Sequence, residues 1–249
     1  MSERIAIFGA TSGIGRALAA AFAARGARLC LLGRNEDESR RIASDLNVRF
    51  GVDARTERFD AEAFDEHAAL VGRVIERFGG GLDGAVVCHG AMFDQAEARG
   101  RVDLIRRTYD VNLTSAASVL EPIAAHMAER GEGWIAGVSS VAGDRGRQSN
   151  YLYGSAKAGL TAYLAGLRNR MHGHGVRVVT VKPGFVDTPM THGLVDPDSP
   201  LVASPERVAR DIDRAIRGRR STVYTPWFWR GVMAIIRNIP EAVFKRLKL

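Results

Sequence analysis

Only two cysteines occur in the 249 residues. Cys30 in RLCLLG and Cys88 in GAVVCHG both sit in apolar strand-like runs, where cysteine acts as a small buried hydrophobe, so no disulfide framework is expected. The six histidines show no ligand spacing with thiols or carboxylates; His172 and His174, in the glycine-rich MHGHGV, read as a helix end, and no metal site is expected. No apolar run approaches the roughly 20 residues that cross a bilayer. The amino-terminal MSERIAIFGATSGIG breaks its short apolar run with glycines, so it reads as strand and turn instead of a signal sequence, which gives a cytoplasmic protein as the expectation. Internal repeats and low-complexity segments are also missing.

A hydrophobic fraction of 46% and a charged fraction of 25% are those of an ordered globular chain. The length fits one domain, 1–249, with a sizeable core. The net charge is +7, and its position is informative. From Pro205 onward there are 11 Lys/Arg against 4 Asp/Glu, so the preceding chain is balanced and the whole excess is carboxy-terminal. Charge alone does not choose between nucleic acid, anionic lipid and an anionic substrate. The basic residues accompany no nucleic-acid-binding motif, and none is expected to bind there.

Apolar runs alternate with helical patterns from the start: RIAIFGA then 15–25, RLCLLGR then 36–48, TERFDA then 62–78. GAVVCHG, GWIAGVSS, VRVVTVKPG and STVYTP bring the strand candidates to seven. Continuous apolar strands separated by helices imply an α/β, doubly wound parallel seven-stranded sheet covered on both faces. One stretch, DTPMTHGLVDPDSPLVASP, is irregular and long for a connection, and its part 188–205 is the expected substrate loop. It follows a strand end, the side on which open parallel sheets bind ligands.

Directly after the first strand, GATSGIGRALA places glycines at 9, 13 and 15 in a GxxxGxG spacing. Glycines let backbone amides approach a diphosphate, and a helix amino terminus favours its charge. Gly9, Thr11, Ser12, Gly13, Ile14 and Gly15 are therefore expected to hold a dinucleotide. Where an acid ending the second strand would bind the ribose of NAD, this chain reads LLGRN. Arg34 there suits the extra phosphate of NADP(H), which is expected to be preferred over NAD(H).

The stretch SNYLYGSAKAGL holds two tyrosines and one lysine. On a helix, residues four apart share a face, so Tyr153 pairs with Lys157 and Tyr151 with Ser155. A free phenol has a pKa of about 10, and a nearby cation favours its ionised form, so Tyr153 with Lys157 is a candidate acid/base pair. A helix with one aromatic face and a solvated lysine would look the same.

Taken together, GxxxGxG, NLTSA at 112–116, VSS at 138–140 and Tyr153/Lys157, in this order and spacing, resemble the classical short-chain dehydrogenase/reductase family. The likeness runs from Ile5 to about Pro189. It implies a Rossmann fold and hydride transfer from NAD(P)H to a carbonyl. It also implies roles: Tyr153 as proton donor to the carbonyl oxygen, Ser140 as its hydrogen-bond partner, Lys157 lowering the phenol pKa and holding the nicotinamide ribose, and Asn112 anchoring a water in the proton relay. Asp60 matches the family acid near the adenine and Thr188 a nicotinamide contact; Gly90, Pro183, Gly184 and Val186 fall in the matching cofactor segments. Two positions depart from the pattern. Phe8 stands where a threonine is usual, and Val87, Cys88, His89, Gly90 replace Asn-Asn-Ala-Gly, so the family's sheet-stabilising asparagine contacts are expected to be lost. His89 reads as a packed histidine or a functional one near the nicotinamide.

A narrower likeness, in VVCHGAMFDQAEA, AGDRGRQSNYLYGSAKAGL and VYTPWFWRGVMAIIRNIPEAVFKRLKL, is to the decaprenylphosphoryl-2-ketoribose reductases, which reduce a keto sugar on a polyprenyl phosphate. The basic aromatic extension 226–249 then has two readings. It lies on the cytoplasmic membrane face, Trp and Phe at the interface and Lys and Arg on anionic headgroups, or it packs on a neighbouring subunit or roofs the site of a homo-oligomer, dimer or tetramer. Reduction of a lipid-linked keto sugar leads; turnover of a small soluble alcohol, ketone or acyl thioester is the second reading, and a non-catalytic NADP-binding regulator the third. Against the last stands the intact set Asn112, Ser140, Tyr153 and Lys157.

Overall fold

The computed structural model describes residues 2–193, 195–196 and 198–247. The expected substrate loop and carboxy-terminal extension include Leu194, Pro197, Lys248 and Leu249, which lie outside the described residues.

The first half alternates strictly: β1 (Arg4–Phe8), α1 (Gly13–Ala23), β2 (Arg28–Gly33), α2 (Glu36–Phe50), β3 (Ala54–Arg58), α3 (Phe64–Arg77) and β4 (Gly84–Val87). The chain then runs through α4 (Gln95–Ala98), α5 (Val102–Tyr109), a π-helical turn Asp110–Thr114, α6 (Ser115–Arg130), β5 (Trp134–Val138) and a 3₁₀ turn Val141–Gly143. It ends with α7 (Tyr151–His172), β6 (Arg177–Pro183), β7 (Phe185–Val186), β8 (Val202–Ala203), α8 (Pro205–Arg217), β9 (Thr222–Thr225), α9 (Trp229–Asn238) and α10 (Glu241–Phe244).

Seven strands form one sheet in the order β3-β2-β1-β4-β5-β6-β9, and every pairing is parallel. The apolar strands are covered on both faces because successive side chains point to opposite sides. In β1, Ile5 and Ile7 pack with Leu18 and Phe22 of α1, Leu46 of α2 and Ile212 of α8. Ala6 and Phe8 pack on the other side with Leu70 of α3, Ile123 of α6 and Leu164 of α7. Side-chain caps set several helix starts. Ser12 Oγ accepts from Gly15 N at 3.0 Å, which starts α1 two residues before the expected Gly15, and Asn35 and Ser204 cap α2 and α8 in the same way.

Strand order reverses between β1 and β4, and the crevice opens there. Gly9, at φ +88°, ends β1 so close to the next strand end that a Cβ would meet the His89 backbone at 2.6 Å. The third strand ends at Arg58, earlier than TERFDA suggests; Phe59 still donates its N–H to Gly33 O, and its ring sits edge-on to Phe8, ring centroids 5.2 Å apart. β8, inside the irregular stretch, pairs with β7 just before it, which ties together the base of the expected substrate loop.

The carboxy-terminal segment roofs its own chain. Trp229 and Met233 of α9 are buried on Val141, beside Phe185. Arg145 donates to the carbonyls of Ile236 (2.6 Å) and Ile239 (2.7 Å), pairs with Glu241 (2.9 Å) and stacks 3.6 Å from the Phe244 ring centroid. Among the described residues no helix is long and apolar enough to cross a membrane.

Candidate active site

At the carboxyl ends of β1, β4, β5 and β6 lies a cavity of about 350 Å³. The β1–α1 turn contributes Thr11, Ser12, Gly13 and Ile14, the β4 end Gly90, and the β5–α7 connection Ser140, Tyr153 and Lys157. Pro183, Gly184, Val186 and Thr188 close the far wall.

Close backbone contact sets the geometry of the β5–α7 corner. Ser139 Oγ donates to Lys157 O at 2.8 Å, and a Cβ on Gly143 would strike the Lys157–Ala158 peptide at 2.7 Å. This contact fixes the Lys157 turn of α7 beside the end of β5. Ser140 Oγ then accepts from Ala142 N at 3.1 Å, starting the 3₁₀ turn. Lys157 Nζ donates to Val138 O at 3.1 Å and lies 5.7 Å from the Tyr153 ring centroid. Tyr151 points elsewhere and is 42% exposed, and its helical neighbour Ser155 is bonded to Tyr109 at 2.8 Å.

Burial pushes the Tyr153 phenol up to about 12, opposed by the nearby Ser140 hydroxyl. Burial also holds the Lys157 ammonium down at about 8, slightly opposed by Cys88.

Asn112, inside the π-helical turn, is wholly engaged with main chain. Its Nδ2 donates to Ala91 O (2.7 Å) and Thr108 O (2.8 Å), and its Oδ1 accepts from Ala91 N (3.2 Å). A Cβ on Gly90 would lie 2.8 Å from Asn112 Oδ1 and 3.3 Å from Lys157 Nζ, so these three residues converge on one point.

The departures after β4 are compensated. The Cys88 thiol donates to Phe8 O at 3.2 Å, across the β1–β4 gap, and His89 Nε2 bonds Ser115 Oγ at 2.7 Å. Thiol and imidazole thus replace the expected loss of asparagine contacts. His89 packs edge-on to Phe59, and burial drives its pKa down to about 3, which keeps it neutral. Arg34 and Asp60 lie outside the cavity, at the neighbouring ends of β2 and β3, where Phe59 N donates to Gly33 O at 3.1 Å. Arg34 is exposed and makes no ion pair among the described residues.

The residues fit a dinucleotide. The cavity begins at the amino terminus of α1, whose first turn carries no acid. Gly13 leaves a gap in which a Cβ would press on the Thr188 methyl at 3.0 Å, so bare backbone on the glycine side faces the Thr188 side chain across the cleft.

The short-chain dehydrogenase family model matches residues 3–198. The chain belongs to the short-chain dehydrogenase family. It is an NAD(P)-dependent oxidoreductase of that family. This short-chain dehydrogenase is similar to an uncharacterized oxidoreductase of Mycobacterium tuberculosis, 36% identical over 98% of this chain and 96% of that one. It is also similar to one from Streptomyces coelicolor, 35% identical over 97% and 94%. Among solved structures, an actinorhodin polyketide ketoreductase variant with NADPH superposes at TM-score 0.82, with 26% identity over 91% of this chain and 97% of that chain.

Sequence reasoning passed over several cavity residues of this short-chain dehydrogenase: Met92, Arg147, Asn150 and Phe185. Only Arg147 and Asn150 had a usable signal, since they fall between Ser140 and Tyr153 on the connection that must border the reacting atoms.

Proposed function

We propose that this enzyme uses NADPH to reduce a keto sugar carried on a polyprenyl phosphate at the cytoplasmic membrane face. The observation that carries the reductive chemistry is the convergence of Ser140, Tyr153 and Lys157 at the inner end of the cavity. Bound NADPH supplies the reducing equivalent. Tyr153 gives its proton to the carbonyl oxygen, and the Ser140 hydroxyl donates to that same oxygen as charge develops on it. Lys157 holds the nicotinamide ribose. Asn112 keeps the Ala91 and Thr108 main chain in place, with a water beyond it in the proton relay. Gly9, Thr11, Ser12, Gly13, Ile14 and Gly15 take the diphosphate; Asp60 flanks the adenine; Gly90, Pro183, Gly184, Val186 and Thr188 border the nicotinamide.

The preference for NADPH over NADH rests on Arg34, which is exposed and without an ion pair among the described residues at the end of β2, the place of the residue that contacts the adenosine ribose. Arg34→Ala is expected to weaken NADPH binding about 10- to 100-fold, the worth of a charged hydrogen bond, and to leave NADH binding unaltered. Fluorescence titration of both cofactors checks this, and an equal effect on the two refutes it.

The lipid carrier is supported by the likeness to ketoribose reductases and by the outer face of the roof. Trp227 is 76% exposed and Ile235 71% exposed, flanked by the exposed Arg230 and Arg237. An aromatic and an aliphatic side chain among arginines suit an anionic lipid surface. The double change Trp227→Ala, Ile235→Ala leaves the buried Trp229 and Met233 in place and is expected to abolish co-sedimentation with phosphatidylglycerol vesicles. Consumption of NADPH with a polyprenyl-phosphate 2-ketopentose tests the whole reading. Turnover of that substrate supports it; NADPH bound tightly with no turnover overturns it.

A further inference from the structure

Two arginines two residues apart on the β5–α7 connection have opposite surroundings. Arg145 is saturated by carbonyls, a carboxylate and an aromatic face. Arg147 is not. Its Nε is buried without a hydrogen-bond partner, and of its two terminal nitrogens Nη2 reaches the thioether of Met233, at 3.5 Å, a weak acceptor. Among the described residues no carboxylate lies within ion-pair distance of it. The nearest acid, Asp144, is already spent: one oxygen pairs with Lys182 at 2.5 Å, and the other accepts from the Tyr224 hydroxyl at 2.8 Å. Burial accordingly draws the Arg147 pKa down.

Asn150 completes the arrangement. It sits at the start of α7 but does not cap it, and its Oδ1 is buried with no partner. Both residues line the cavity that holds Ser140 and Tyr153. They belong to the end roofed by α9, since Arg147 touches Met233 and Met233 packs with Trp229 and Val141. The glycine turn is at the other end, where Gly13 faces Thr188 and Pro205. A half-buried guanidinium with its Nε closed off from water and left without a partner is unfavourable. Orphaned buried polar atoms that share one cavity with reactive groups mark a place where a ligand supplies the partners.

We propose that Arg147, with Asn150 beside it, is the subsite for an oxyanionic group of the carbonyl substrate, phosphate or carboxylate, and so sets preference for anionic over neutral carbonyls. Arg147 receives the oxyanion in a charge-assisted hydrogen bond, and the Asn150 amide oxygen accepts from a neighbouring hydroxyl. This rests on the carbonyl-reductase reading above and narrows its substrate class, without requiring that the anion be lipid-linked.

The test uses the full chain saturated with NADP⁺, titrated calorimetrically with methyl phosphate and, separately, with acetate. The parent is expected to bind at least one, which tells phosphate from carboxylate, and Arg147→Met to lose at least tenfold in affinity while Arg147→Lys recovers part of it. In turnover, a phosphorylated 2-ketopentose should show a KM raised about 10- to 100-fold in Arg147→Met with kcat moved much less, and the unphosphorylated ketose no such rise. Unaltered anion affinity in Arg147→Met together with a lowered Tm would make Arg147 a clasp for α9 and overturn the subsite. Anion binding that depends on Arg147, with neither ketose reduced, would support the subsite and overturn the keto-sugar reading instead. Equal reduction of both ketoses without anion binding would do the reverse.

Discussion

Tyr153→Phe is expected to lower kcat and kcat/KM together by about 10²- to 10⁴-fold, the usual worth of a positioned general acid. NADPH affinity should stay close to that of the parent. The exchange removes one oxygen and leaves the ring on its helix face, so a folding defect is not the cause of the loss. Tyr151→Phe is the matched control, because that side chain is exposed and its helix face leads to Ser155 and Tyr109, away from the cavity. Stopped-flow NADPH oxidation decides the matter: if Tyr153→Phe keeps parental turnover, the assignment of the proton donor is wrong. The phenol stands at about 12 in the free protein and the ammonium at about 8. Tyr153 therefore remains protonated across the working range, and the group that titrates first as pH rises is Lys157. kcat/KM, which reports the free enzyme, is expected to fall above about pH 8.

Lys157→Met is expected to abolish turnover and at the same time raise the melting temperature at pH 7. In the folded chain Lys157 is 3% exposed and titrates near 8, against 10.5 in its ordinary state. Below pH 8 both folded and unfolded chains carry the proton, and the folded one bears the full penalty of a buried ammonium, at most about 3 kcal/mol. Between pH 8 and 10.5 the unfolded chain binds more protons, so this penalty fades and the parent gains stability with rising pH. Methionine removes the charge at similar length but leaves Val138 O without its donor, which returns about 1–2 kcal/mol. The net gain of about 1–2 kcal/mol corresponds to roughly 2–8 °C in a chain of this size. Thermal melts at pH 7 and pH 10 give the sign: the advantage of the variant should shrink at the higher pH. A variant less stable by the same margin at both pH values would show that Lys157 is held by favourable contacts and not under strain.

Much of the cofactor end was legible in the chain. The glycine turn, the alternation of β1 to β6 and the helical spacing of Tyr153 and Lys157 are local patterns, each fixed within a few residues by sterics or by the helical repeat. Phe8 and the Val87–Gly90 segment were legible as departures, yet their effect was not. Whether Cys88 could reach Phe8 O, or His89 could reach Ser115, depends on how closely β1, β4 and α6 pack, and no spacing encodes that. The same holds for Lys157: its place on the Tyr153 face follows from i and i+4, whereas its desolvation follows from Ser139, Gly143 and Gly90 closing around it.

The extension after Pro226 shows the division most sharply. Its composition, apolar and basic together, admits a membrane face, a subunit contact and a roof alike, because amphipathic patterning tells that a face is buried and not against what. In the fold Arg145 gathers the carbonyl end of α9 and the start of α10, and Trp229 seats in the space left by Gly184, where any Cβ would collide with the indole, so the inner face of the segment is covered by its own chain while Trp227 and Ile235 stay exposed on the outer one. By itself, then, the sequence determined the parallel sheet, the dinucleotide turn and which tyrosine shares a helix face with Lys157, all of which rest on short-range periodicity. Only the tertiary structure decided which charges are buried and unpaired, and it is burial, summed over residues far apart in the chain, that separates the spent guanidinium of Arg145 from the waiting one of Arg147.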